Sequence, residues 1–190
     1  MIEQEWKFPQ LWLATRDRLS ERKLRLFGVG YCKFLRQDPY FRDFASFEPW
    51  AERVADGIIR LDDAFEEAWE KSTDGSDKGF RWLLTNQPNR DVTKLVMLLG
   101  TANWGEWAEQ TLRCVAGHLL FPSAAISTSN TTAKQIAQKI YEERAFDRMP
   151  ILADALEEAG CDNADILGHL RGGGEHVRGC WVIDLVLGKE

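Results

Sequence analysis

The chain reads as an all-α protein, and three observations point there. Apolar residues recur at three- and four-residue steps through most of its 190 residues, Gly and Pro fall between those runs, and no segment keeps a clean two-residue alternation. A length of 190 residues with 44% apolar content suits a single domain with a sizeable core. The expected architecture is a single-domain helical bundle over residues 1–148, with a helical tail, 149–190, docked on it as part of the same domain.

The elements follow in order. Ser20 is placed to cap a helix whose apolar face carries Leu24, Phe27, Tyr31, Phe34 and Leu35, and Asp38-Pro39 ends it. Glu48 to Ala55 and Leu61 to Lys71 read as two more helices, broken at Asp56-Gly57. Phe80 to Leu84, Asp91 to Leu99 and Glu106 to Leu120 are helical segments, with Gly100 and Gly105 as breaks, and 122–131 is the most loop-like stretch. Ala133 to Arg144, capped by Thr131 or Thr132, and Arg148 to Ala159, preceded by Asp147 as a cap and closed by Gly160, are amphipathic helices.

The tail has its own pattern. Asp162 or Asn163 can cap a short helix ending at Leu170, and Gly172, Gly173 and Gly174 make a turn. His176 to Leu187 is expected to resume as a helix ended by Gly188, because Val177, Trp181 and Leu185 keep a four-residue step; a strand over 180–187 is the competing reading.

The segment LADALEEAGC to HVRGCWVIDLVLGKE, and SERKLRLFGVGYCKFL at Ser20 to Leu35, resemble the signatures of a group of uncharacterised bacterial proteins abundant in planctomycetes. The resemblance implies a shared fold and transfers no catalytic residue.

Composition limits the function classes. Uncharged apolar runs such as Leu95 to Trp104 are too short for a membrane span, and no basic segment followed by an apolar run opens the chain, so the sequence predicts a cytoplasmic protein without a membrane partner. Cys32, Cys114, Cys161 and Cys180 are scattered and read as reduced thiols.

Four constellations could carry chemistry. Cys161, His169, His176 and Cys180 have the donors of a tetrahedral zinc site, but only His176-x3-Cys180 is a tight pair, at a helical i, i+4 step. The expectation is that no cofactor is used, with zinc at these four residues as the alternative. Arg18, Arg22, Arg25, Lys33 and Arg36 form a basic stripe that could track phosphates. Against that, the net charge is −6, and residues 43–75 hold ten acidic and three basic side chains, a ready internal counterpart. Among eight tryptophans, Trp6, Trp12, Trp82, Trp104 and Trp107 could line a groove, whereas Trp50, Trp69 and Trp181 sit in amphipathic patterns and should be packed. Glu142, Glu143, Asp147 and Asp154 with His118 could meet as acid–base groups, although their spacing does not require it. Asp184 interrupts an apolar stretch and, if buried, needs a partner such as Arg178 or His176.

No combination converges by spacing alone, so the expected function is a non-enzymatic helical module for protein interaction or regulation, with another protein as partner. The alternatives are a small metal-dependent or acid–base enzyme centred on the tail, with His176 and Asp184 as catalytic candidates, and a nucleic-acid-associated regulator using residues 18–36.

Overall fold

The structure is a computed structural model, describing residues 8–35, 48–60, 63, 105–121 and 131–189. Among these residues the regular structure is all helical, with no strand. The helices are α1 (Phe8–Thr15), α2 (Glu21–Leu35), α3 (Glu48–Ala55), α4 (Gly105–Leu120), α5 (Thr131–Glu143), α6 (Met149–Glu158), α7 (Ala164–Arg171) and α8 (Trp181–Leu187). Apart from residue 63, the helices expected at 61–71, 80–84 and 91–99 lie outside the described residues. The chain divides into two compact units, Met1–Glu109 and Gln110–Glu190.

In the first unit, α2 packs on α3. Ser20 caps α2 as its sequence suggests, its Oγ accepting a hydrogen bond from the Lys23 N–H at 3.2 Å. Leu24 and Phe27 are buried, and the Phe27 ring stacks on Trp12 of α1 with centroids 5.3 Å apart. Arg22 of α2 reaches Asp56, just beyond α3, at 3.0 Å, and this ion pair is largely shielded from solvent. The pair therefore ties the start of α2 to the end of α3 with directional chemistry that apolar burial alone does not supply.

The second unit is built on α5 and α6, which pack together; α7 lies on α6, and α8 lies on α5 and α7. Its core follows the helical period. Ala133, Ala137, Ile140 and Tyr141 are the buried stripe of α5, and Met149, Leu152, Ala153 and Leu156 that of α6. Ile166 and Leu170 from α7 and Trp181, Val182, Ile183 and Val186 from α8 complete it.

Four helix ends share one device. The N–H of Ile58, Ala145, Cys161 and Lys189 each bonds the carbonyl five residues back, and the residue before each has positive φ: Gly57, Arg144, Gly160 and Gly188. These are Schellman closures, which satisfy carbonyls that a helix end leaves without partners. Three use glycine, as the sequence predicts; Arg144 takes the same conformation with a side chain, at φ 55°.

Two details, one just before the tail and one within it, depart from what the sequence predicts. Asp147 does not cap α6; it sits in the 3-10 turn Phe146–Arg148, and the residue before α6 is Arg148. The last helix begins at Trp181 and not at His176. The reason is local: Gly179 takes φ 90° and the Cys180 N–H bonds the Val177 carbonyl at 3.0 Å, so residues 177–180 form a tight turn that a helix cannot run through. Beyond it 181–187 is helix, not strand.

Candidate metal centre

Four side chains of the second unit converge: Cys114, His169, His176 and Cys180. One donor atom from each lies within 4.8 Å of all the others. The His169 Nε2 is 3.2 Å from the Cys180 sulfur, and the His176 Nδ1 is 3.8 Å from the Cys114 sulfur. A tetrahedral zinc ion with ligand distances near 2.0–2.3 Å sets donor–donor edges of about 3.3–3.8 Å. The two edges, 3.2 and 3.8 Å, are close to that spacing.

Each donor is positioned by a different local feature. Cys114 projects from α4 into the interior and is 1% exposed. His169 lies in the last turn of α7, a helix whose start is fixed by Asn163: its side-chain oxygen accepts from the N–H groups of Asp165 and Ile166 at 3.0 and 3.1 Å. The segment Gly172 to Glu175 then carries the chain over exposed ground to His176. The 177–180 turn brings Cys180 back beside it, fully buried, at the entrance to α8.

Aromatic contacts hold the imidazoles. The His169 ring meets that of His176 edge-on, with centroids 4.9 Å apart, and lies 5.6 Å from Trp181. Trp181 is itself 1% exposed and packs against Gly117, one turn after Cys114; a Cβ at Gly117 would overlap the indole. The glycine therefore lets α4 approach the ring that backs the site.

The electrostatics favour an anionic sulfur. Burial alone would push the Cys180 thiol up, but the contact from Cys114, the charge and hydrogen bond of His169 and the hydrogen bond of His176 hold it well below the ordinary thiol range. The His176 Nε2 is also buried, with no hydrogen-bond partner among the described residues. Two sulfurs and two imidazoles in this array are the donor set of a tetrahedral site for zinc or a similar borderline-soft ion.

The sequence points to three of these four residues. Cys161 is outside the cluster, half-buried at the end of α6, where its N–H closes the helix by bonding the Leu156 carbonyl at 2.9 Å. Cys114 takes the fourth place. It lies far before His169 in the chain, inside an apolar helical run, where a buried cysteine reads as a small hydrophobe. The signal in the sequence is the pair Cys114 and Gly117, a small face on one side of α4, which becomes legible only with Trp181 beside it. His176-x3-Cys180 is a close pair as expected, but across a turn and not along a helix.

The other candidates are dispersed. Asp184 is 2% exposed on α8, one turn after Cys180, and is not among the four clustered donors. The Arg178 guanidinium lies 4.4 Å from the centre of the Tyr141 ring. Glu142, Glu143, Asp147, Asp154 and His118 are exposed; Glu143 pairs with Arg148, and Asp154 with Arg171. Of the basic stripe, Arg22 pairs with Asp56 and Arg25 with Glu21, Arg18 is exposed, and the side chains of Lys33 and Arg36 lie outside the described residues. Of the tryptophans, Trp12 and Trp181 are buried; the other six side chains also lie outside the described residues.

Among the described residues, no helix is long and apolar enough to cross a membrane. No family model, curated protein or solved structure matches the chain.

Proposed function

We propose that this chain is a non-enzymatic binding module whose second unit is organised around a structural zinc ion held by Cys114, His169, His176 and Cys180. The observation that carries the reading is the convergence of these four donors, with both sulfurs buried. Catalytic zinc sites keep one coordination position for water or substrate, whereas four protein donors close the sphere. His176, a residue the sequence offers for acid–base work, is thereby given to support, and the regulatory or interaction role falls to the helical surface.

The ion has a specific structural task. Three donors come from the one segment that runs from His169 to Cys180, and the fourth comes from α4. One ion therefore fastens α4 to the α7–α8 segment. A protein partner remains the expected ligand of the module.

The test is the metal content of protein purified without chelator. One zinc per chain is expected. Cys114→Ser and Cys180→Ser should each lose it or bind it at least about 10-fold more weakly, in line with the dependence of such sites on every ligand. Cys161→Ser should retain it. Equal metal loss in Cys161→Ser, or metal-free wild-type protein that takes up no zinc on titration, would remove the reading. Far-ultraviolet circular dichroism of each variant separates metal loss from failure to fold.

A further inference from the structure

Resting on the metal centre above, we infer that Cys114 and Cys180 form an oxidant-operated release: hydroperoxide converts the two zinc-bound thiolates to a Cys114–Cys180 disulfide and expels the ion. The two sulfurs lie within 4.8 Å of each other, and an S–S bond is about 2.0 Å long. Neither sulfur is in a disulfide, and Cys161, the third cysteine among the described side chains, is outside the cluster. The route for a small oxidant is on the imidazole side, because His169 and His176 are only half-buried while both cysteines are closed off.

The chemistry balances. One thiolate attacks the peroxide O–O bond, giving a sulfenic acid and hydroxide; the second displaces the sulfenic oxygen as hydroxide and forms the S–S bond. Two thiolates lose two electrons, peroxide gains them, and two protons from solvent turn the two hydroxides into water. The disulfide sulfurs are neutral and poor donors, so the ion keeps two imidazoles and is lost to water. The new bond joins α4 to the turn before α8, the two places that the ion had fastened. Release therefore leaves the helical body assembled.

The experiment uses the full chain carrying Cys32→Ser and Cys161→Ser, loaded with zinc and treated with hydrogen peroxide. Released zinc is followed with a chromogenic chelator, and the disulfide by peptide mapping. One zinc released per Cys114–Cys180 disulfide, at the same rate, with circular dichroism preserved and both changes reversed by dithiothreitol plus zinc, is the expected result. Zinc release accompanied by sulfinic acids in place of the disulfide, or no release at peroxide levels that oxidise free thiols, overturns the inference. If the protein takes up no zinc, the structural-metal reading fails and the release that rests on it fails too; the peptide map then decides separately whether peroxide pairs Cys114 with Cys180, whereas zinc uptake without the pairing sinks the release alone.

Discussion

His169 and Cys180 meet at 3.2 Å across the 172–179 loop, one from the last turn of α7 and the other from the residue that opens α8. That contact depends on the chain reversing direction between them, and Gly179 makes the final part of the reversal with φ 90°.

Gly179→Ala places a Cβ on a left-handed residue, at a cost of about 1–2 kcal/mol. The strain sits between two donors, so zinc affinity should fall about 5- to 30-fold, the equivalent of that energy. Competition with a chelator of known affinity measures it, and an unchanged affinity would show that the turn does not set the donor geometry.

Gly117→Ala drives a methyl group into the Trp181 indole. Trp181 is enclosed by the core and has little room to retreat. Overpacking of this kind costs about 1–3 kcal/mol. Thermal unfolding should show a lower midpoint for the second unit, and Gly117→Ala combined with Trp181→Phe should recover part of it.

Arg22→Ala leaves the nearly enclosed Asp56 carboxylate without the guanidinium that lies 3.0 Å away. A destabilisation of about 1.5–3 kcal/mol is expected for losing a hydrogen bond to a charged group. Urea denaturation should register it, while zinc content stays at the wild-type value because the pair lies in the first unit and the metal donors lie in the second.

Asn163→Ala removes the cap that accepts two N–H groups of α7. The cost should be about 1 kcal/mol. Asn163→Asp should retain most of the stability, since its carboxylate accepts the same bonds and suits the positive end of the helix. Comparing the unfolding midpoints of the two variants checks this.

What the sequence by itself determined is local. The step of its apolar residues fixes which faces of α5 and α6 are buried, Ser20 and Asn163 fix two helix starts, and Gly57, Gly160 and Gly188 fix three ends, because each effect acts within one or two helical turns. His169, His176 and Cys180 are visible for the same reason: they share one short segment of the chain. Only the tertiary structure decided between Cys161 and Cys114. Cys161 is the nearer in sequence but is engaged in ending α6, whereas Cys114 is brought from a distant helix by the packing of a glycine-bearing face against one indole. No periodicity encodes a meeting of that kind, since it depends on how separate helices stack and not on the spacing within any of them.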